Sequence, residues 1–142
     1  PVYRPRTSIH AGYQGTLGFG FPTALGAKVA HPDKQVVSVT GDGGFMFTVQ
    51  ELITAAELRL SLPIIVWNNA GLKQIRDDMT QRKIPAVGVD GINPDYLQLA
   101  AACGCKSNRP DSEATFRSAV TDALTAEVPT LIEVFEDSDW LS

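Results

Sequence analysis

The chain has 142 residues, of which 44% are hydrophobic and 20% are charged, with a formal net charge of −4. This length and composition suit a single globular domain with a filled core. The acidic balance, without a cluster of lysine and arginine, argues against a nucleic-acid partner. No apolar run reaches the roughly 18 residues of a membrane span, and the first residues do not form a signal peptide. We therefore expect a cytoplasmic protein without a membrane partner.

The chain contains two cysteines, Cys103 and Cys105, separated by a single residue. This spacing fits neither a Cys-x-x-Cys redox pair nor half of a zinc site. We predict that both are reduced, partly buried thiols.

A glycine-rich loop precedes the first predicted helix. The glycines from Gly15 to Gly20 have the spacing G-x-x-G-x-G and follow no predicted strand, so the dinucleotide fingerprint G-x-G-x-x-G is not met. A dinucleotide-dependent oxidoreductase therefore stays only as an alternative. Residues 21–30 are predicted to form a short helix with small residues on its packing face.

The next stretch combines a predicted strand with an acidic glycine cluster. Residues 36–40 are mostly β-branched and predict a buried parallel strand, which Gly41-Asp42-Gly43-Gly44 follows directly. We expect a sharp turn that uses the positive φ available to glycine. Asp42 would then lie at the carboxyl end of the strand, where open α/β sheets bind ligands.

A helix and a second strand follow. Residues 48–60 have helical spacing, and Pro63 ends that helix before the predicted strand 64–67. The predicted apolar face of the helix consists of Val49, Leu52, Ile53, Ala56 and Leu60. The strand leads directly into Asn68-Asn69. Adjacent parallel strands joined by a right-handed crossover place their carboxyl ends side by side, so Asp42 and Asn69 can share one ion.

These residue types favour a magnesium-diphosphate site. Mg2+ takes one or two protein oxygens and leaves its other positions to water and phosphate, whereas Ca2+ needs a larger set of ligands than one carboxylate and one amide provide. The amides of Gly43 and Gly44, and the start of the helix predicted at Thr48, would add hydrogen bonds and a favourable dipole for the anion.

The whole pattern resembles a known signature. Gly41-Asp42-Gly43, a spacer of residues 44–67 and Asn68-Asn69 are similar to the diphosphate-binding motif of thiamine-diphosphate-dependent enzymes. The resemblance extends over nearly the whole chain. It is strongest to the branch of acetolactate synthase, benzoylformate decarboxylase and 2-oxo acid decarboxylases. It implies thiamine diphosphate and Mg2+ as cofactors, with Asp42, the Asn69 side chain and the Gly71 carbonyl as the metal ligands.

The resemblance also gives roles to the opening loop. The Gly15 carbonyl would accept a hydrogen bond from the 4′-amino group of the cofactor, and Leu17 would support its bent conformation. The enzymes of the acetolactate synthase type usually have methionine at this position, so leucine favours a simple decarboxylase. In total, the resemblance implies ten residues in contact with the cofactor: Gly15, Thr16, Leu17, Gly41, Asp42, Gly43, Gly44, Asn69, Gly71 and Leu72.

Two positions after the asparagine pair are candidates for the substrate pocket. Ile75 falls where the resembling pyruvate decarboxylases have a catalytic glutamate, which argues against that enzyme. Asp78 falls where related enzymes have a bulky aromatic residue, and its carboxylate is able to pair with the guanidinium of 5-guanidino-2-oxopentanoate. A solvated helix charge is the alternative for Asp78. His10 lies next to the cofactor loop, where it either contacts substrate or is an ordinary loop residue. His31 is predicted to lie at an exposed helix end.

The rest of the sequence predicts alternating helices and strands. We expect a helix over 94–103 with Asn93 as its cap, a strand over 105–107, a helix over 112–127 capped by Asp111, and a strand over 130–135. The predicted fold class is α/β: one doubly wound, mostly parallel sheet with helices on both faces.

The implied function is decarboxylation of a 2-oxo acid, with or without carboligation, by a lyase or transferase. Residues 1–142 would be the diphosphate-binding domain of a larger enzyme, truncated at its N-terminus. The activating glutamate is expected on the pyrimidine-binding domain of a neighbouring subunit, so the partner is another copy in a homo-oligomer. No catalytic residue is assigned within this chain, and alone it should be inactive. The alternative is a non-catalytic cofactor-binding or regulatory domain of the same fold.

Overall fold

The computed structural model describes residue 5 and residues 7–141, apart from the side chain of Tyr13. Within this part of the chain, four strands form a single sheet: β1 (Ser38–Gly41), β2 (Pro63–Asn68), β3 (Lys106–Asn108) and β4 (Thr130–Phe135). The α-helices are α1 (Gly20–Ala30), α2 (Asp42–Met46), α3 (Glu51–Glu57), α4 (Lys73–Gln81), α5 (Tyr96–Ala102) and α6 (Glu113–Ala123). Short 3-10 turns occupy Gly12–Gln14 and Asp139–Leu141.

The four strands are parallel and lie in the order β1-β2-β4-β3. In the pairing of β1 with β2, Thr40 is opposite Val66 and Gly41 is opposite Trp67. Asp42, which follows β1, and Asn68, the last residue of β2, are therefore delivered to the same edge of the sheet. The α/β class, the parallel sheet and the neighbouring positions of these two strand ends are confirmed.

Both faces of the sheet are covered by helices, as predicted. On one face, Ile64, Val66 and Leu131 pack with buried residues of α1, α3 and α5. On the other face, Ile132 and Val134 pack with Ala119 and Ala123 of α6. The alternation of side chains along β2 and β4 explains this division, because successive residues of a strand point to opposite faces.

Several predicted boundaries are wrong by a few residues. The first strand begins at Ser38 and not at residue 36, while the predicted helix over 48–60 is helical only in α3. Leu52 and Ala55 form the buried face of α3, whereas Ile53, placed on that face by the sequence, is 52% exposed. Ile53 lies about 100° around the helix axis from Leu52, on the side away from Ala55, and therefore outside the stripe that faces the sheet.

Two helix caps also differ from the prediction. The α5 helix begins at Tyr96, and its N-cap is Asp95, whose side chain accepts hydrogen bonds from the amides of Leu97 and Gln98. Asn93, the predicted cap, lies too far before the helix and has other partners, described below. Similarly, α6 is capped by Ser112, not by Asp111, because the Ser112 hydroxyl accepts from the Thr115 amide. The last two strands are better predicted: β3 is shifted by one residue and β4 has the predicted bounds.

Both cysteines are free, as predicted. Cys105 is buried against the Leu52 carbonyl, and this burial raises the pKa of its thiol to about 11. Cys103 is partly exposed. Separately, none of the helices in the described ranges is long and apolar enough to cross a membrane.

Candidate functional site at the carboxyl ends of the first two strands

Asp42 is the central side chain of the site. It follows β1 as the first residue of α2, and it is only 1% exposed. Its Oδ2 atom accepts hydrogen bonds from the Gly71 amide at 2.8 Å and from Asn93 Nδ2 at 2.6 Å. Both donors are neutral, and no basic side chain within residues 7–141 forms an ion pair with Asp42. The site therefore contains a buried carboxylate whose charge these neighbours do not balance.

The glycines around Asp42 have a different role from the predicted one. The predicted turn over 41–44 is instead a strand end followed at once by α2, and neither Gly43 nor Gly44 has a positive φ. A Cβ atom on Gly43 would lie 2.6 Å from Leu72 Cδ2 and 3.2 Å from the Gly71 carbonyl oxygen. Glycine is therefore required because the segment after β2 packs directly against the backbone of α2.

The helix start near the site is also not the predicted one. α3 begins at Glu51, and Thr48 lies in a turn where its hydroxyl donates to the Gly18 carbonyl. The helix that begins at the site is α2, so the amides of Gly43 and Gly44 lie in a first helical turn. Amides in that turn have no partner within their own helix and are available to a ligand.

Three oxygen atoms converge beside Asp42. Asn69 Oδ1 lies 3.1 Å from Asp42 Oδ1 and 3.2 Å from the Gly71 carbonyl oxygen. Adjacent ligands of an octahedral Mg2+ ion lie about 3.0 Å apart when each oxygen is about 2.1 Å from the metal. The two distances from Asn69 Oδ1 thus fit neighbouring ligands of an octahedral ion such as Mg2+.

A second arrangement of Asn69 has the same heavy-atom positions. If the amide is turned over, Asn69 Nδ2 donates to Asp42 Oδ1 and to the Gly71 carbonyl. That orientation satisfies the amide without an ion, while the first one presents three acceptors to a cation. The same three groups are the metal ligands expected from the sequence, and either orientation brings them together.

The opening loop lies beside α2. Gly15 has a φ of 58°, and the Thr16 carbonyl accepts a hydrogen bond from the Phe19 amide. Leu17 is 42% exposed, and its Cδ2 atom is 3.9 Å from where a Cβ of Gly44 would lie. The structure therefore brings the loop expected to contact the cofactor to the same helix that begins at Asp42.

The candidate pocket residues lie on α4 and, in the part of the chain that the structure describes, make no hydrogen bond to the site. Ile75 and Asp78 are both exposed, and Asp78 Oδ1 accepts a 3.3 Å hydrogen bond from Gln74 Nε2. Among the hydrogen bonds of the described residues, none links either side chain to Asp42 or Asn69. His10 is exposed, and its Nδ1 accepts from the Gly12 amide. His31 is an exposed residue at the end of α1, as predicted.

Sequence reasoning missed a polar network behind Asp42. Its side chains are joined by hydrogen bonds across the ends of three strands: Asn68, Asn93, Tyr96, Arg109 and Glu133. Burial raises the pKa of the Tyr96 hydroxyl, and the nearby carboxylates of Asp42 and Glu133 raise it further. One sequence signal was available: Glu133 is an acidic residue in an otherwise apolar predicted strand.

The described residues contain no group of three His, Cys, Asp or Glu side chains able to hold a metal ion. The ligand set expected from the sequence is of another kind, since it consists of one carboxylate, one amide and one backbone carbonyl.

Two clefts lie on the surface of the described domain. A cleft of about 340 Å³ lies between α1 and β1, and a shallow depression of about 540 Å³ lies next to Arg109 and Phe135. Neither of these two clefts includes Asp42 or Asn69. Around the loop at Gly18, apolar side chains are exposed, with Phe47 at 60%.

Comparison with known protein families gives one match over most of the chain. Residues 1–134 match the family described as thiamine pyrophosphate enzyme, C-terminal TPP binding domain.

Individual relatives agree with this match. The chain is 46% identical over 107 residues to a probable 2-ketoarginine decarboxylase, AruI, of Pseudomonas aeruginosa, covering 75% of this chain and 19% of that protein. It is 34% identical over 143 residues to the acetolactate synthase isozyme 1 large subunit of Escherichia coli K12, covering 98% of this chain and 25% of that protein. The chain thus spans about a quarter or less of the length of these relatives.

A solved structure has the same fold. It is a thiamine diphosphate-dependent 4-hydroxybenzoylformate decarboxylase of Rhodococcus jostii RHA1, with a TM-score of 0.80 and 34% sequence identity. The similarity covers 88% of this chain and 24% of that one.

Proposed function

Because the chain belongs to the thiamine pyrophosphate enzyme family, as its C-terminal TPP-binding domain, we propose that it holds the diphosphate of thiamine diphosphate through Mg2+ in an enzyme that decarboxylates a 2-oxo acid. The observation that carries the proposal is that Asn69 Oδ1 lies 3.1 Å from Asp42 Oδ1 and 3.2 Å from the Gly71 carbonyl oxygen, as adjacent ligands of an octahedral Mg2+ ion would.

The charge at the site supports a cation. A buried carboxylate is costly unless a positive charge or several hydrogen bonds compensate for it. Asp42 Oδ2 already accepts from Gly71 and Asn93, so Oδ1 is the atom that remains for an ion. Glu133, the other buried carboxylate in the network, is paired with Arg109 and needs no metal.

The residues of this chain would bind and orient the cofactor. The free amides of Gly43 and Gly44 would donate to diphosphate oxygens, and water and phosphate would complete the metal shell. Gly41 and Leu72 border these groups, while Gly15, Thr16 and Leu17 would contact the pyrimidine end. Bound thiamine diphosphate supplies the electron sink that a 2-oxo acid needs in order to lose CO2.

A second domain is needed to complete the site. The exposed Leu17 and Phe47 side chains near the site suit an opposing protein surface. We propose that this surface is the pyrimidine-binding domain of a neighbouring copy, which also provides the activating glutamate. Residues 1–142 would then be inactive alone and act within a homo-oligomer. The cytoplasmic location stays a prediction from composition.

The substrate proposal rests on Asp78. This exposed carboxylate on α4 is available for a bidentate contact with a guanidinium group, and the Pseudomonas relative is named as a probable 2-ketoarginine decarboxylase. We therefore propose 5-guanidino-2-oxopentanoate as the substrate of the complete enzyme. Carboligation is the second candidate activity, favoured by the similarity to the acetolactate synthase large subunits.

Asp78→Asn tests the substrate proposal because it removes the charge and keeps the shape. Loss of a charge-assisted bidentate contact should lower kcat/KM for 5-guanidino-2-oxopentanoate by about tenfold or more, while the value for pyruvate should change little. Asp77→Asn, a neighbouring exposed carboxylate, is the matched control. Equal losses for both substrates would contradict a specificity role, and acetolactate formed from pyruvate would favour carboligation.

Asp42→Ala tests the proposed cofactor site. In the complete enzyme it should abolish Mg2+-dependent binding of thiamine diphosphate, measured by calorimetry, because Asp42 supplies the only charged ligand. The variant should still show wild-type circular dichroism. Unchanged affinity in a folded variant would refute the metal site, and cofactor binding without any decarboxylation by the wild-type enzyme would favour the non-catalytic alternative.

A further inference from the structure

Asn93 contacts the proposed cation site without facing the cation position. Its Nδ2 donates to Asp42 Oδ2 at 2.6 Å and to Asn68 Oδ1 at 2.9 Å. Asp42 Oδ2 is the oxygen turned away from Asn69 Oδ1, because the converging atom is Oδ1. Asn93 thus binds the outer oxygen of the proposed metal ligand.

The orientation of the Asn93 amide is determined by its surroundings. Asn93 Oδ1 lies 3.2 Å from the hydroxyl of Tyr96, a fully buried residue that donates to it. The same hydroxyl lies 3.4 Å from the Asp42 main-chain carbonyl. Since the amide oxygen accepts from Tyr96, its nitrogen must point to the two acceptors, Asp42 and Asn68.

The second acceptor of Asn93 is itself held in place. Asn68 Nδ2 donates to Glu133 Oε1 at 2.7 Å, and Asn68 Oδ1 also accepts from the Ala70 amide. Glu133 is 2% exposed, and Arg109 donates to its Oε2 through Nε and Nη2 at 2.9 and 2.6 Å. A rigid chain of hydrogen bonds therefore extends from Arg109 to Asp42.

The contacts of Asn93 are not needed to hold residues 84–93 in place. Residues 84–93 are held beside Gly71 by other interactions, including the Leu72 amide to the Val89 carbonyl at 2.9 Å and the Arg76–Asp90 ion pair at 2.8 Å. Without Asn93, Asp42 Oδ2 would keep only the Gly71 amide as a donor. A single hydrogen bond would then hold the carboxylate, so its plane, and with it the direction of the oxygen that faces the ion, would be less closely fixed.

We propose that Asn93 is a positioning residue of the cation site: by binding one oxygen of the Asp42 carboxylate, it holds the plane of that group so that the other oxygen faces the ion. The proposal rests on the proposed function of Asp42, Asn69 and Gly71 as the ligands. Outer-sphere partners of metal ligands contribute about 10- to 100-fold to metal affinity, and we expect an effect of this size.

The test is a Mn2+ titration of the metal-free complete enzyme with thiamine diphosphate present, followed by electron paramagnetic resonance of free Mn2+. Asn93→Ala should weaken Mn2+ binding about tenfold or more. Asn108→Ala, which changes an exposed asparagine of β3, is the matched control and should match the wild type. At saturating Mn2+, the affinity of Asn93→Ala for thiamine diphosphate should remain near that of the wild type.

The outcomes separate positioning from general structural damage. Unchanged Mn2+ affinity in folded Asn93→Ala overturns the proposal, as does an equal loss of cofactor affinity at saturating Mn2+. If Asn93→Ala does not fold, Tyr96→Phe decides, because it removes the hydroxyl that orients Asn93 and keeps the buried ring against Phe45. Weaker Mn2+ binding by Tyr96→Phe supports the role, and wild-type binding overturns it.

A reference variant distinguishes failure of the positioning role of Asn93 from failure of the proposed function. Asp42→Asn should weaken Mn2+ binding more than Asn93→Ala does. If Asp42→Asn leaves Mn2+ affinity unchanged, the cation site itself is wrong, and the positioning role is lost with it. If only Asn93→Ala is without effect, the site stands and Asn93 has no positioning role.

Discussion

Gly71→Ala should damage both the fold around the site and the site itself. Gly71 has a φ of 133°, which an L-residue rarely adopts, and a Cβ there would lie 2.6 Å from the Val89 carbonyl oxygen. Backbone strain of this kind costs about 1–3 kcal/mol. Relieving the overlap costs about 1–3 kcal/mol more, because the obstacle is backbone and not a flexible side chain. The sum, about 2–6 kcal/mol, is a large part of the 5–15 kcal/mol that stabilises a typical domain.

The assay is hydrogen exchange with mass spectrometry on the complete, metal-free enzyme, because it shows which segments are destabilised. Peptides that cover 69–72 and 84–93 should exchange faster in Gly71→Ala, because the Leu72 to Val89 hydrogen bond and the Gly71–Asp90 bridge are disturbed. The matched control is Gly26→Ala on the exposed face of α1, where a Cβ meets nothing within 4 Å. That change should stabilise the helix by about 0.5–1 kcal/mol. Equal exchange in the two variants would refute the reasoning from φ and close approach.

Two further predictions concern the caps and thiols. Asp95→Ala should lower the melting temperature at pH 7, because backbone hydrogen bonds from Gln98 and Leu97 hold the pKa of Asp95 below its ordinary 3.8. Because the folded-state pKa is lowered, the stabilisation is fully present above the unfolded pKa and is lost as pH falls through the folded pKa, so the difference from wild type should shrink as pH falls below about 4. A difference that keeps its full size under acidic conditions would contradict this. At pH 8 a thiol reagent should modify Cys103 well before Cys105, whose thiol is buried with a pKa of about 11. Peptide mass spectrometry checks this, and faster labelling of Cys105 would refute its burial.

The sequence predicted the sheet well because its signals are local and strong. Residues 130–135 are mostly apolar and lie between Pro129 and the acidic pair Glu136-Asp137, and β4 has those bounds. The neighbouring positions of Asp42 and the asparagine pair also followed from topology, since parallel strands align their carboxyl ends. The local geometry at Asp42 did not follow. Glycines are compatible with a turn or with close packing, and only the approach of Leu72 to Gly43 shows which applies.

The polar network behind Asp42 could not be predicted from the sequence, because its contacts join residues far apart in the chain. Asn93 precedes a helix and suits an N-cap, but Asp95 is closer to the helix start and takes that role. The actual partners of Asn93 are 51 residues away at Asp42 and 25 residues away at Asn68. Such contacts depend on how residues 84–93 fold back onto the sheet edge, which no local pattern encodes.

The most direct test of the account is a crystal structure of the complete enzyme with thiamine diphosphate and Mn2+ in place of Mg2+. Anomalous scattering identifies the ion, and the density around it shows which atoms bind it. The account predicts one Mn2+ ion bound by Asp42 Oδ1, Asn69 Oδ1 and the Gly71 carbonyl, with diphosphate oxygens completing the shell. An ion bound elsewhere, or Asn69 donating to Asp42 with no ion between them, would contradict it.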